Sequence, residues 1–468
     1  MITKTYLLRL LACAFVVSCF SMCTKSVNEI EGQASETPAA DPQLISAATN
    51  VSLLDTSQPY TGCTYTVKTS EWFVDGAKIP PGSVVCIPAG ARGALLLKNF
   101  KGTAEKPIII TNKGGKVTFN AMVAATYAFK TQNCQNIKIV GNGDKATKYG
   151  FCVNGANLGM TLEMLTSDFE VAYVEVRNSK FAGIMAKTDP SCDVATRRGN
   201  FTMRNVSIHD NYIHNVGGEG IYLGNSFYAK GRILACGTIL PHDVVNSKVY
   251  NNTTESTGCE GIQVGCATSG AEIYNNTVKR PGLDPFMSGQ TNGIQIGEGT
   301  GGKCYNNLVK DAPGNGIIIL GYGDNKVFNN YIINSGTFGI FADSRYTPGP
   351  NFQIINNTII YPKQDGVKLN SETIPMNTVI NNVMVISGTG VAVRRKSTRV
   401  RLTEANNYVV KNVTECGFVN YSAEDFHLLK TSPLISKGAN ALSYGVSIDF
   451  YGLSRNSPGG FEVGATAY

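Results

Sequence analysis

The chain is poor in charge, with only 16% Asp, Glu, Lys and Arg, and poor in histidine, with four. It also lacks any C-x2-C pair, so little is present from which to build a zinc site. No segment beyond the first twenty residues is apolar for long enough to cross a bilayer. Basic–aromatic motifs of the kind that read nucleic acid are missing, which argues against a nucleic-acid partner. What is abundant is glycine, 50 residues of 468, together with β-branched residues and asparagine. That mixture favours many short strands joined by tight turns and disfavours long helices. The net charge of +7 becomes +5 once a leader carrying Lys4 and Arg9 is removed. A balance of this size keeps a protein soluble and points only faintly to acidic glycans such as uronates.

Lys4 and Arg9 precede an apolar run from Leu10 to Phe20, the pattern of an export signal. Val16-Val17-Ser18-Cys19 resembles a bacterial lipobox, with Cys19 as the lipidated first residue. An ordinary cleaved signal peptide is the alternative. Residues 24–50 are polar, rich in Pro, Ala and Ser, and aperiodic, as a tether would be. The expectation is an exported lipoprotein on the outer membrane or cell surface of a Gram-negative bacterium, touching the membrane only through its anchor. Ten cysteines follow Cys23, and in an oxidising compartment Cys63 with Cys86, Cys134 with Cys152, and Cys192 with Cys236 are plausible partners. Cysteines stacked inside the fold are the alternative.

Two markers repeat through the middle of the chain. One is a polar pair ending in Asn: Asp210-Asn211, then Asn-Asn at 251, 275, 306, 329, 356, 381 and 406. The other is Gly before Ile or Val, at Gly183, Gly220, Gly261, Gly293, Gly316, Gly339, Gly366 and Gly390, in steps of 37, 41, 32, 23, 23, 27 and 24 residues. In five turns the second Asn of the pair precedes the glycine by nine residues (211 to 220, 252 to 261, 307 to 316, 330 to 339, 357 to 366). Units with short alternating strands such as Gly220-Ile221-Tyr222-Leu223 cannot bury an apolar face alone, but coils stacked about 4.8 Å apart can. Ile and Val columns then fill the interior, and the Asn side chains hydrogen-bond along the stack at a turn.

This pattern resembles the right-handed parallel β-helix superfamily that includes pectate lyases and polygalacturonases, over about residues 95–415. Pro81-Gly82-Ser83-Val84-Val85-Cys86-Ile87-Pro88-Ala89-Gly90 and Ala104-Glu105-Lys106-Pro107-Ile108-Ile109-Ile110 look like the opening turns of such proteins. Leu429-Lys430-Thr431-Ser432-Pro433-Leu434-Ile435 through Asp449-Phe450-Tyr451-Gly452 look like the tail that closes them. A left-handed β-helix would show a strict hexapeptide repeat instead. The resemblance implies an all-β chain, a single-stranded right-handed parallel β-helix with caps. The chain thus divides into a lipoprotein signal peptide (1–19), a flexible linker (20–50), opening turns and cap (51–125), the β-helix (126–415) and a C-terminal capping segment (416–468).

Three turns are swollen by insertions, residues 188–200, 225–246 and 279–291, which should wall one stretch of the flank. Neutral drift of surface loops is the alternative. The position before each repeat glycine reads Ala182, Glu219, Glu260, Asn292, Asn315, Phe338, Asp365 and Thr389. Glu219 and Glu260 therefore fall on neighbouring rungs, about 5 Å apart at the backbone. Such a pair serves as the acid and base or nucleophile of a glycosidase, as two ligands of a calcium ion, or as solvated turn residues. In polygalacturonases the catalytic aspartates stand in N-T-D-G-I and D-D-C-I on successive rungs. Gly218-Glu219-Gly220-Ile221 and Cys259-Glu260-Gly261-Ile262 look like their positional counterparts, although Glu replaces Asp and neither G-H-G nor R-I-K follows. The resemblance implies the location of a site and leaves its mechanism open.

Two residues past each glycine stand Met185, Tyr222, Gln263, Gln295, Ile318, Phe341, Lys368 and Ala392, and Tyr222 with Gln263 and Gln295 suits sugar stacking and amide contacts. Lys187 and Asp189 end the strand one rung before Glu219. Arg197 and Arg198 lie in the first insertion, His242 in the second. The catalytic candidates are Glu219, Glu260, Lys187 and Asp189. Substrate contacts are expected from Tyr222, Gln263, Gln295, Asn292, Arg197, Arg198 and His242. An elimination route would need Lys187, Tyr222 or an arginine as base, and a cation for the uronate carboxylate. The chain reads as a monomeric polysaccharide-cleaving protein, hydrolase or lyase, with a non-catalytic polysaccharide binder or adhesin as the rival.

Overall fold

A computed structural model of the chain describes residue 60 and residues 62–468, apart from 123, 323 and 456–459. The leader, Cys19 and the tether lie outside the described residues.

Each coil contributes one short strand to each of three parallel ladders. Sheet one includes Thr202–His209, Asp243–Tyr250, Ala271–Tyr274, Gly302–Tyr305 and Asn325–Phe328. Sheet two includes Tyr212–Val216, Thr253–Thr257, Thr277–Lys279, Leu308–Lys310 and Tyr331–Ile333. Sheet three has 12 strands, running from Phe73–Asp75 through Ile221–Leu223 and Ile262–Val264 to Val393–Arg395. The pairings along the three ladders are parallel and mostly in register, for example Ile221 with Ile262 and Ile262 with Ile294, with register shifts between Val244 and Val245 and between Pro88 and Gly90. A parallel strand can be reached only by a crossover, and the crossover is right-handed in nearly all proteins. The core is the set of inward columns, such as Ile184, Ile221, Ile262, Ile294, Ile317 and Ile340, all fully buried.

The two sequence markers each have a physical cause. The first residue of each Asn pair sits at the corner between sheets one and two with φ near +50°, from Asp210 (53°) through Asn251, Asn275 and Asn306 (53–54°) to Asn406 (50°). Asn and Asp tolerate that left-handed conformation better than other residues with a side chain. The second residue points inward and forms a ladder. Asn211 Nδ2 donates to Asn252 Oδ1, Asn252 to Asn276, Asn276 to Asn307, Asn307 to Asn330, Asn330 to Asn357, Asn357 to Asn382 and Asn382 to Asn407, all at 2.9–3.0 Å. The repeat glycine is needed where coils pass closest: a Cβ on Gly316 would lie 2.2 Å from Ile332 Cγ2 and 2.8 Å from Gly339 O.

The repeat slips once. Val367 pairs with Val393 and Lys368 with Arg394, so Ala392, not Gly390, is the equivalent of Gly366. The outward residue of that rung is therefore Arg394 instead of Ala392, and Val391 replaces Thr389 in the preceding column. Two extra residues in the turn cause the shift, and Arg394 uses it to grip Asp365, with Nε 2.5 Å from Oδ2.

Disulfides join Cys63 to Cys86 and Cys192 to Cys236. Cys134 and Cys152 do not pair: both are buried free thiols. Cys134 sits in the core beside Leu97 O, whereas Cys152 lies in sheet two between Thr118 and Glu175. Cys259, Cys266, Cys304 and Cys416 are also buried and free.

The segment expected to cap the end lies lengthwise over the corner between sheets one and two. Asn306 Nδ2 donates to Asp449 O, Asn329 to Ile448 O, Asn356 to Glu462 O, Asn381 to Ala439 O and Asn406 to Lys437 O. Buried Arg455 adds bonds to Asn329 Oδ1 (2.9 Å) and to the carbonyls of Gly464 and Ala465 (2.8 Å each).

Candidate active site

Glu219 and Glu260 stand at the leading edge of sheet three on adjacent rungs, where Gly220 N donates to Glu260 O at 3.0 Å. The side chains are almost wholly removed from solvent, 1% and 0% exposed. Each has one buried oxygen, Oε2, without a hydrogen-bond partner. The other oxygen of Glu260 accepts from Asn292 Nδ2 at 3.0 Å. The polar column continues beyond it: Asn315 Nδ2 donates to Asn292 Oδ1 (2.7 Å) and Thr337 Oγ1 to Asn315 Oδ1 (2.9 Å).

Burial, reinforced by the charge of Glu219, pushes the Glu260 carboxyl up to about 8, against the pull of its hydrogen bonds. Burial also raises Glu219, opposed by backbone hydrogen bonding and by Lys187. For Lys187, burial would lower the ammonium, but Tyr222, Asp189 and Glu219 outweigh it and hold it above the ordinary lysine value. Its Nζ lies 2.9 Å from Asp189 Oδ1 and 4.8 Å from the centroid of the Tyr222 ring. At neutral pH, therefore, Glu260 keeps its proton and Lys187, paired with Asp189, is a cation whose field reaches Glu219. Both carboxyls are thus pushed toward the protonated form, and a carboxyl that holds its proton at neutral pH is suited to act as a general acid.

On the outer face of sheet three, Met185, Tyr222, Gln263, Gln295 and Ile318 stand in register. Tyr222 and Gln263 are buried, and exposed Ser226 joins them: its Oγ lies 2.7 Å from Tyr222 Oη and accepts from Gln263 Nε2 at 2.7 Å. Ser226 belongs to the second insertion, where no repeat marks it, so sequence spacing gave no means of placing it. Gln295 is half-buried next to Gln263.

Arg198 and His242 join the first insertion to the second, while Arg197 braces the first insertion from within. Arg197 donates to Cys192 O (2.6 Å) and Ser191 O (3.2 Å), and Arg198 to Pro241 O (3.1 Å) and Tyr228 O (2.5 Å). The Cys192–Cys236 disulfide fixes the same junction. His242 accepts from Thr188 N at 3.0 Å and donates through Nδ1 to Asp243 O at 2.9 Å, and burial holds it down to about 4. Both ring nitrogens are thus committed within the protein. The first two insertions leave the trailing edge of sheet three. The third, residues 279–291, runs beside the turn that carries Glu260: Leu283 N bonds Thr257 O, Asp284 N bonds Gly258 O and Gly282 N bonds Cys259 O. Its Phe286 packs on Phe181 at 5.4 Å.

The pair does not fit a calcium site. Calcium takes six to eight oxygens. Here the carboxylates meet Lys187 and an Asn donor, and among the described residues no three His, Cys, Asp or Glu side chains gather where a metal ion could be held. No chemistry is assigned to a bound cation.

Residues 243–414 match a family model described as "right handed beta helix region". The chain is a right-handed parallel β-helix. Among solved structures of similar fold, pectate lyase Pel9A is 13% identical, covering 88% of this chain and 98% of its own, with a TM-score of 0.46. XylC in complex with xylose is 12% identical over 74% of this chain and 75% of its own, with a TM-score of 0.41. An alginate lyase from Paenibacillus sp. str. FPU-7 is 16% identical over 74% of this chain and 100% of its own, with a TM-score of 0.34. No curated protein matches the β-helix in sequence.

Proposed function

We propose that this β-helix is a carbohydrate-active enzyme that hydrolyses glycosidic bonds in an extended, acidic polysaccharide laid over sheet three. One observation carries the reading: two buried carboxyl groups on consecutive rungs, one holding its proton to about 8 and the other raised by burial against the field of Lys187. Glu260 then protonates the departing glycosidic oxygen, and Glu219 attacks the anomeric carbon or activates water. Side chains from equivalent positions of adjacent coils start about 4.8 Å apart. Lys187 supplies the cation for a uronate carboxylate near the cleaved bond. Because both glutamates are buried, the substrate reaches them only when the side chains around them move.

Elimination is the weaker route because its candidate bases are protonated. Lys187 is held above its ordinary value, and burial raises the Tyr222 hydroxyl as well. We further propose export and anchoring through Cys19, on the strength of the lipobox-like sequence; metabolic labelling with a fatty acid, lost in Cys19→Ala, tests it.

The decisive assay incubates the protein with a panel of acidic and neutral polysaccharides, following reducing ends together with the absorbance of unsaturated products. Reducing ends alone mean hydrolysis, and both signals together mean elimination. Binding without either signal means a non-catalytic binder. Glu219→Gln and Glu260→Gln should each abolish cleavage with the fold intact; cleavage surviving both substitutions overturns the site.

A further inference from the structure

The trailing edge of sheet three, opposite the glutamates, presents a second set of sugar-competent side chains. The arm of the second insertion leaves the rung of Ile221–Leu223 and reaches along the solenoid. Tyr228 meets Tyr322, which follows the strand Ile317–Ile319 three rungs away, with ring centroids 5.7 Å apart and planes at 74°. Lys230 Nζ lies 4.1 Å from the ring of Tyr346, which follows Ile340–Ala342 one rung further on. Tyr322 and Tyr346 are 40% and 49% exposed. A stripe of about two rung spacings, roughly 10 Å, thus carries three tyrosines and the exposed cations Lys230 and Arg345.

The stripe is built, not incidental. Tyr228 lies flat on Gly299, where a Cβ would fall 2.2 Å from its ring, and the Arg198 guanidinium stacks on it at 3.7 Å. The charge of Asp243 acts on its hydroxyl. Glu298, 6% exposed, anchors the arm through the backbone of Ala229 and lies within the field of Arg345 and Lys230. Its Oε2 is buried without a hydrogen-bond partner.

We infer that Tyr228, Tyr322 and Tyr346, with Lys230 and Arg345, form a platform that holds an anionic polysaccharide strand parallel to the solenoid axis. The exposed rings of Tyr322 and Tyr346 stack on pyranose rings at adjacent rungs, Tyr228 buttresses them from Gly299 and Arg198, and the cations meet carboxylates or sulfates along the strand. The ligand class rests on the hydrolase reading; the platform itself rests on this edge alone.

Native gels containing polygalacturonate, alginate or chondroitin sulfate, with arabinoxylan as the neutral probe, test it. The wild-type chain should be retarded by at least one acidic polymer and little by arabinoxylan. Tyr322→Ala with Tyr346→Ala should weaken that binding roughly tenfold or more. Lys230→Gln with Arg345→Gln should weaken it at low salt, the difference vanishing as salt rises. All four side chains are exposed, so melting temperatures should stay at the wild-type value. Wild-type retardation in the tyrosine double variant, no retardation in any acidic gel, or equal retardation by arabinoxylan overturns the platform. Retardation without cleavage upholds the platform and overturns the hydrolase reading, so the two fail separately.

Discussion

Replacing Glu260 with glutamine tests the electrostatics of the site through the stability of the whole fold. Burial and the neighbouring Glu219 lift the Glu260 carboxyl from 4.5 to about 8. Below pH 4.5 it is protonated in the folded and unfolded chain alike, so its stabilising proton is fully in place. Between 4.5 and about 8 the unfolded chain releases the proton while the folded chain keeps it, and stability falls as pH rises. Above about 8 the loss is complete. At about 1.4 kcal/mol per tenfold change in proton affinity, the window amounts to about 5 kcal/mol. Glutamine does not titrate, and its amide oxygen still accepts from Asn292 Nδ2, which lies 3.0 Å from Glu260 Oε1. Urea unfolding of both chains, followed by far-UV circular dichroism from pH 4 to pH 9.5, gives the difference in stability at each pH. Titrations common to both chains cancel. Glu260→Gln should gain several kcal/mol over wild type across the window, nearly all of it between pH 4.5 and pH 8. A difference that stays flat with pH would refute the proposed burial of a protonated carboxyl.

The same group predicts that kcat/KM falls as pH rises through about 8, seen in a pH–rate profile on whichever polymer is cleaved. Lys187→Met removes the cation beside Glu219, so that carboxyl rises further and the acid-side limb of the profile shifts to higher pH. Asn330→Ala deletes bonds to Asn357 Oδ1 (2.9 Å) and Cys304 O (3.0 Å) and strips Asn307 of its acceptor, which should cost about 3 kcal/mol or more in chemical unfolding. Opening the 44-residue loop with Cys192→Ser and Cys236→Ser should cost up to about 4 kcal/mol and expose residues 225–246 to limited proteolysis; an unchanged cleavage pattern would show that the arginine clamps suffice.

The architecture was legible because each marker answers a backbone demand. Asn306 and its equivalents are needed at a left-handed corner, Asn307 and its equivalents in the ladder behind it, and Gly316 where coils nearly touch. A two-residue bulge defeated the same logic at Gly390, since a glycine beside Val391 carries no label for its register. Adjacency of Glu219 and Glu260 followed from the period, but their burial did not, because the period says nothing about how insertion 279–291 folds back. Arg197, Arg198 and His242 looked like ligand contacts because polar residues in long loops commonly are. Their partners are main-chain groups, of its own loop for Arg197 and of the neighbouring loop for Arg198 and His242, which no side-chain pattern reveals. Ser226 escaped because it lies in an insertion that carries no repeat marker. The tail was equally opaque, since it is held by corner asparagines donating to its carbonyls.

That tail changes how the molecule comes apart. Coils held only by their neighbours can peel from an end one at a time. Here a single stretch of chain is tied to Asn306, Asn329, Asn356, Asn381 and Asn406, one knot on each of five coils. It works as a splint: no splinted coil can loosen without straining the rest. Melting should therefore proceed in two zones, with the C-terminal coils parting together and the unsplinted coils before them fraying on their own terms.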